Sequence, residues 1–117
     1  MANITQREVF IMEYRRFGNT IYLRLDPKEE ILEEIGKVSE KENIRLAQVT
    51  GLGAINDFTA GVYNTVTKEY HSIQFQGAFE IVSLTGTVTR KDGDVYLHLH
   101  IAAGDEEGHV HGGHLNQ

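Results

Sequence analysis

The sequence of 117 residues has no cysteine, no tryptophan and only one proline. Without cysteine the chain can form no disulfide, use no thiolate nucleophile and build no cysteine-ligated zinc site. Any strong metal ligand must therefore be a histidine or a carboxylate. Hydrophobic residues make up 40% of the chain, and the lack of low-complexity segments is typical of a folded globular domain.

Positive charge is also scarce, since 11 Lys and Arg face 17 Asp and Glu and the net charge is -6. An acidic average field opposes binding to a polyanion, so DNA binding would need a local basic patch. No apolar run approaches the roughly 18 residues of a membrane span, and Met1–Phe10 lacks a basic start followed by an apolar stretch. We expect one cytoplasmic domain over residues 1–117, with no membrane partner.

The first half of the chain predicts a hairpin followed by a helix. β-Branched and aromatic residues alternate with polar ones in Val9–Arg16 and Thr20–Leu25, which indicates two short strands. Asp26 is a candidate helix cap, Pro27 suits the first helical position, and Glu29 sits where a capping box closes. The helix should bury one apolar face and leave a charged face in solvent. The apolar positions are Ile31, Leu32, Ile35 and Val38.

The second half predicts an antiparallel sheet. Five segments with strand character are separated by glycine-bearing or charged turns, and the last ones should pair as a meander. The fold class is therefore α+β, a mostly antiparallel sheet packed with one main helix. The five segments are Arg45–Thr50, Ala54–Tyr63, Glu69–Gln74, Phe79–Arg90 and Asp94–Ala102.

Histidines are concentrated at the end of the chain. Strand alternation places His98 and His100 on one face, with leucine and isoleucine on the other. Two imidazoles about 7 Å apart along a strand suit a pair that converges on one metal ion. Five of the six histidines lie in the last twenty residues: His98, His100, His109, His111 and His114.

The third ligand depends on the register of the last hairpin. If its turn centres on Glu106, His98 lies opposite His114, and the site consists of His98, His100 and His114. A slip of one residue would bring in the other two histidines instead. A bulge at the Gly-Gly pair before His114 could place all five on one face.

Three imidazoles hold zinc and leave a fourth position for water or a small anion, so such a site can activate bound water or polarise a carbonyl. The alternative is a solvent-facing histidine stripe that binds nothing. Glu80 is a candidate catalytic residue because it is a carboxylate in an apolar segment, where it could orient a histidine, act as a general acid or base, or face solvent. His71 is interpreted as a surface residue, and the glycines of Thr50–Ala54 as a turn or bulge.

Four motifs follow one another along the chain: Thr50-Gly51-Leu52-Gly53-Ala54, Phe79-Glu80-Ile81-Val82-Ser83-Leu84-Thr85-Gly86, Leu97-His98-Leu99-His100 and Gly112-Gly113-His114-Leu115. In this order and spacing they resemble the plants-and-prokaryotes-conserved (PPC) domain of the prokaryotic, stand-alone type. The resemblance implies a mixed α/β domain with a central antiparallel sheet, homotrimers, and in some prokaryotic members a metal held by histidines. Carried onto this chain, the ligands would be His98, His100 and His114, with His109 and His111 at variable positions.

Plant members of this family carry an AT-hook, and prokaryotic relatives are often labelled DNA-binding by association. This sequence has no Arg-Gly-Arg-Pro hook, so the resemblance implies a binding or regulatory module more safely than a DNA-binding mechanism. The site is also similar to that of acetolactate decarboxylase, which makes a zinc-dependent lyase for a small oxo acid the alternative function. Family members continue beyond Gly-Gly-His-Leu, so one or two C-terminal strands could be missing here.

Overall fold

The computed structural model describes residues 13–117. An N-terminal hairpin is present as the sequence predicts, since β1 pairs antiparallel with β2 and Phe17 faces Thr20 across the turn. Residues 9–12 of the predicted first strand lie outside the described part. The elements are β1 (Glu13–Phe17), β2 (Thr20–Arg24), α1 (Ile31–Lys41), β3 (Ala47–Asn64), β4 (Glu69–Lys91), β5 (Asp94–Gly104) and β6 (Val110–Leu115).

The four long strands form an antiparallel barrel in the order β3-β4-β5-β6. The predicted antiparallel sheet and meander are confirmed, but the sheet also closes on itself. Closure occurs where Ala60 of β3 pairs with Leu115 and Gly61 pairs with His114. As a result β6 has a hydrogen-bonded neighbour on both sides, β5 and β3.

Two pairs of predicted strands are continuous in the structure. β3 runs through the predicted break at Gly51–Gly53, and β4 runs through the predicted break around Gly77. The β3–β4 register shifts between Gly51 and Gly53 and again between Ile55 and Asp57, and β4 carries the extra residue at both places. Of the turn or bulge predicted around Gly51–Gly53, the structure therefore has the bulge, and the predicted turn around Gly77 is a bulge as well. Bulges bend long strands without ending them, which allows a narrow barrel to close.

The helix begins later than predicted. Asp26–Glu29 forms a turn in which the Glu29 amide donates to the Asp26 carbonyl (3.1 Å) and Lys28 has a φ of 76°. The Asp26 amide does donate to Glu29 Oε1 (2.6 Å), as in a capping box. However, the positive φ of Lys28 interrupts the helical backbone, and Glu30 becomes the actual cap by accepting from the Glu33 amide.

Helix α1 packs against β5 with the predicted apolar face. Glu34 is an exception to the predicted charged face, since it is only 6% exposed. Its carboxylate lies 2.9 Å from Lys37 Nζ, which compensates the burial. Arg90 connects the helix end to β4 by donating to the carbonyls of Ile44 (2.9 Å) and Ser39 (3.2 Å).

The core fills the inside of the barrel and the contact with α1. Each fully buried aliphatic or aromatic side chain contributes roughly 1.5–3 kcal/mol of transfer free energy. Within the described residues, no helix is long and apolar enough to span a membrane. The core cluster consists of Ile35, Phe58, Ala60, Leu84, Val88, Leu99, Ile101, Ala103 and Leu115.

Candidate metal centre

Strand β5 separates its two faces as the alternation predicts. Leu99, Ile101 and Ala103 are at most 2% exposed and point into the barrel. His98 and His100 are exposed on the outer wall. The imidazoles of His98 and His100 therefore lie on the outside of the barrel, away from the core.

The turn between β5 and β6 is centred one residue later than predicted. The amide of Asp105 donates to the carbonyl of His109 (2.8 Å), and Asp105 Oδ1 accepts from the amides of Glu107 and His109 (2.9 Å each). Gly108 takes a φ of 86°, which closes the turn. The turn spans residues 105–109, so its centre is Glu107, and the Asp105 carboxylate holds it together.

This register makes His100, and not His98, the partner of His114. The predicted pairing of His98 with His114 is wrong by two positions. A shift of two residues preserves the side-chain face, because the period of a strand is two. Pairing is continuous from Gly104 with Val110 to His100 with His114, which excludes both the one-residue slip and the bulge that would have joined all five histidines.

The three predicted ligands converge. Ring centroids are 5.2 Å apart for His98 and His100, 5.1 Å for His98 and His114, and 5.7 Å for His100 and His114. One ligand nitrogen from each ring lies within 4.8 Å of the others. Tetrahedral zinc with Zn–N distances of about 2.0–2.1 Å needs nitrogens about 3.3 Å apart. Small rotations of the exposed rings cover the difference, so the residues fit a zinc-type ion.

The electrostatics of the cluster suit metal binding. The pKa of His114 is lowered from its ordinary value by burial, and then by the neighbouring His98 and His100. A lowered pKa keeps the imidazole neutral, and the neutral form is the one that coordinates a metal. Three neutral nitrogen donors would leave the full charge of a divalent ion for a further ligand.

Close backbone contacts hold β6 and His114 in place. A Cβ at Gly113 would lie 2.5 Å from the Gly61 carbonyl oxygen, so glycine permits β6 to approach β3. Tyr70 crosses over Gly61 and its hydroxyl donates to Asn116 Oδ1 (2.6 Å). Sequence reasoning missed this contact, although a glycine inside a strand is a signal of close backbone approach.

The remaining C-terminal histidines form a separate group. His111 Nε2 lies 3.0 Å from Asp105 Oδ2, and its ring packs on Phe75 with centroids 5.0 Å apart. His109 Nδ1 lies 3.6 Å from the same carboxylate oxygen. The hydrogen bond with His111 is the main reason that the pKa of Asp105 is lowered to about 2, and amide donors of the turn add to it.

Glu80 and His71 lie away from the three-histidine cluster. Glu80 is exposed and pairs with Gly104, four positions beyond His100 along β5. Four strand residues span about 13 Å, so its carboxylate does not contact the cluster. His71 is 75% exposed at its side chain and lies 3.3 Å from Glu69, as expected for a surface residue.

An antiparallel four-stranded barrel, covered by one helix and carrying three convergent histidines on its outer wall, defines a class of small domains with a candidate metal centre. The family model of the Plants and Prokaryotes Conserved (PCC) domain matches residues 12–117. The chain therefore belongs to this family, the one abbreviated PPC above.

Solved structures agree with this assignment. A PPC protein from Pyrococcus horikoshii is 34% identical, with 97% of this chain and 75% of that chain covered and a TM-score of 0.76. A protein from Bacteroides thetaiotaomicron, described as a candidate DNA-binding protein, is 31% identical over 89% of this chain and 73% of its own, with a TM-score of 0.85.

A third similar structure is described as a metal-containing protein from Archaeoglobus fulgidus. It is 28% identical, with 90% of this chain and 67% of that chain covered and a TM-score of 0.70. No curated protein matches the sequence. The comparisons thus show the family and the fold.

Proposed function

We propose that this protein is a homotrimeric, cytoplasmic PPC-domain protein that binds a zinc-type ion through His98, His100 and His114 and acts as a binding or regulatory module. The observation that carries the proposal is the convergence of three imidazole nitrogens within 4.8 Å of one another. The metal-containing relative from Archaeoglobus fulgidus supports it. The cytoplasmic location rests on the sequence arguments alone.

The cluster would hold the ion at the protein surface. His98 and His100 are exposed and His114 is half-buried, so a bound ion would keep an open position toward solvent. Zinc in such a site supplies a Lewis acid that attracts anions. A small anionic ligand is therefore the expected partner at this position.

Self-association is supported by apolar side chains on the surface. The β3–β4 hairpin exposes Val62 (63%), Val66 (87%) and Ile73 (59%), and Leu52 is 88% exposed at the bulge of β3. Val62, Val66 and Ile73 lie at the same end of the hairpin, and exposed apolar patches commonly mark protein interfaces. Light scattering of purified protein should give the mass of three chains, and a monomer would contradict the trimer.

Elemental analysis of protein purified without a histidine tag tests the metal site. We expect about one zinc per chain. His98→Ala should abolish the bound zinc, while His71→Ala should retain it, because His71 is a surface histidine outside the cluster. Protein that is free of metal after purification and after incubation with zinc would overturn the proposal.

Acid should release the metal. Ligand imidazoles must be deprotonated, and free imidazole titrates at about 6.5, so the metal should leave as the pH falls below about 6. The lowered pKa of His114 means that this ligand resists protonation to a lower pH than an ordinary histidine. Retention of zinc at pH 4 would contradict three imidazole ligands.

The alternative function is a zinc-dependent lyase acting on a small oxo acid. The open coordination position favours it, because a carbonyl could be polarised there. Glu80, the candidate acid or base, lies about 13 Å from His100 along the strand. Because Glu80 lies too far from the cluster to transfer a proton there, Glu80→Gln should leave turnover of an oxo acid unchanged, whereas His98→Ala should abolish it if this function is correct.

DNA binding, which the Bacteroides thetaiotaomicron relative's description mentions, is opposed by the net charge of -6. Several basic side chains also form ion pairs with carboxylates, namely Arg16, Arg24, Lys37 and Arg90. A salt-dependent shift in a gel with duplex DNA would support this function.

A further inference from the structure

A depression of about 290 Å³ opens directly beside the candidate metal centre. It extends along β5 from His100 toward Ala102. Hydroxyls of β4 border one side, and Gly112 and Gly113 of β6 border the other. The two glycines contribute no side chain, so this side of the depression stays low and accessible.

The hydroxyl side is built by Ser83 and Thr85. The register places Thr85 opposite His100 and Ser83 opposite Ala102. Directly paired residues have Cβ atoms roughly 5 Å apart, so the Thr85 side chain is close enough to contact a small ligand bound at His100. Neither hydroxyl has a hydrogen-bond partner among residues 13–117 that the structure describes, and both are exposed.

The charges around the depression restrict the ligand further. Among the lining residues that the structure describes, only His100 can ionise, and it is a proposed metal ligand. A divalent ion on neutral imidazoles favours an anionic head group. The other described lining residues offer hydroxyl groups and the Ala102 methyl, with neither a cation for a second anionic group nor a carboxylate for a cationic one.

We infer that this depression is a ligand subsite, in which a small carboxylate coordinates the metal and a hydroxyl or carbonyl group on its tail hydrogen-bonds to Thr85 and Ser83. The inference rests on the proposed function, since the metal holds the head group. It adds the class of ligand: a monocarboxylate with an uncharged polar tail. Volumes near 300 Å³ are at the lower limit for ligand pockets, which suits a molecule of metabolite size.

Three probes distinguish the parts of this subsite: butyrate, 3-hydroxybutyrate and succinate. Each is titrated into the Co²⁺-loaded protein, and the visible absorption of cobalt reports coordination. The hydroxylated probe should bind about threefold to tenfold more tightly than butyrate, as one hydrogen bond provides. Succinate should bind more weakly than 3-hydroxybutyrate, because no cation meets its second carboxylate.

The variants assign the preference to the hydroxyls. Thr85→Val should reduce the preference for 3-hydroxybutyrate over butyrate to about one, and Ser83→Ala should reduce it in part. Thr87→Val is the matched control, because Thr87 faces His98 on the same outer wall but does not line the depression. It should leave the preference unchanged.

Equal binding of 3-hydroxybutyrate and butyrate by the wild type would overturn the subsite while leaving the metal site intact. A preference that survives both Thr85→Val and Ser83→Ala, or tighter binding of succinate, would overturn it equally. Failure of the protein to take up Co²⁺ would instead overturn the proposed function, so the two failures are separate. Elemental analysis of each variant confirms equal loading.

Discussion

The β5–β6 hairpin carries two groups of histidines with opposite properties. His98, His100 and His114 project from the outer wall with no carboxylate among them, and their ligand nitrogens converge. His111 and His109 lie at the turn, where Asp105 is within 3.0 Å and 3.6 Å of their ring nitrogens. The same residue type thus presents convergent ring nitrogens in one group and lies against a carboxylate in the other.

The difference comes from strand parity. His111 pairs with Ala103, a core residue, so its ring is directed to the side of the phenylalanines. His114 pairs with His100, so its ring is directed outward. A high density of histidines therefore does not by itself indicate a candidate metal site, whereas a convergent set of imidazoles on one face does.

The strongest test of this comparison removes one histidine from each group. His100→Ala should lower zinc affinity by more than about 100-fold, because a direct ligand is removed. Loss of a residue that only hydrogen-bonds to a ligand already costs up to about 100-fold. His109→Ala should change zinc affinity less than about threefold. Competition with a chelator measures both, and a comparable loss in His109→Ala would contradict the separation of the groups.

The second test disturbs the packing of β6, the strand that carries both His111 and His114. Gly113→Ala should destabilise the fold by about 2–4 kcal/mol and weaken zinc binding, because its Cβ would meet the Gly61 carbonyl and its φ of 156° strains an L side chain. Urea unfolding measures the loss.

Gly36→Ala is the matched glycine control for this test. The position lies within α1, and the added Cβ would meet only Leu97 Cδ1, at 3.9 Å. Alanine is the better helix former, so this variant should gain about 0.5–1 kcal/mol. A loss in Gly36→Ala as large as that in Gly113→Ala would show that the Gly61 contact is not the cause.

The third test concerns the turn group and pH. The pKa of Asp105 is lowered from 3.8 to about 2, mainly by His111, so its ionised form stabilises the folded state. This contribution is complete at pH values above the pKa of Asp105 in the unfolded chain, and it is lost as the pH falls toward the folded-state pKa of about 2. Asp105→Asn should reduce the loss of stability that the wild type shows between about pH 4 and pH 2, because one of the carboxyls with a lowered pKa is removed.

Urea midpoints at pH 7, 4 and 2.5 provide the measurement for Asp105→Asn. Zinc content at pH 7 should stay near the wild-type value, since Asp105 does not belong to the three-histidine cluster. An Asp105→Asn protein that keeps the full acid dependence would show that other carboxylates cause it.

The smallest expected effect concerns the support of His114. Tyr70→Phe removes the hydrogen bond to Asn116 but keeps the ring, whose centroid is 6.3 Å from that of His114. The free energy of unfolding should fall by about 0.5–1.5 kcal/mol, with zinc affinity reduced less than about threefold. Tyr22→Phe, at a tyrosine that is 74% exposed, should change neither quantity in thermal melts and calorimetry.

Helix α1 shows where local patterns were sufficient and where they were not. The spacing of Ile31, Ile35 and Val38 predicted the buried face, because helical periodicity is a local property. The start of the helix was predicted too early, since Pro27 also suits a turn and the positive φ of Lys28 interrupts the helical backbone there. Glu34 was expected in solvent but is buried, and its carboxylate pairs with Lys37.

The strands teach the same distinction. Glycines at 51, 53 and 77 indicated interruptions, but only the pairing of β3 with β4 shows that these are bulges in continuous strands. A glycine marks a backbone that can bend, and the neighbouring strand determines whether the chain turns back or continues.

The sequence by itself indicated the family and the α+β class through its motifs and patterning, and the resemblance pointed to His98, His100 and His114 as ligands. Strand alternation placed His98 and His100 on one face, because side chains of a strand alternate between two faces. The tertiary structure decided the register, the barrel closure through Gly61 and Gly113, and the depression beside His100. These features depend on contacts between residues far apart in the chain, and a two-residue change of register leaves the alternation unchanged.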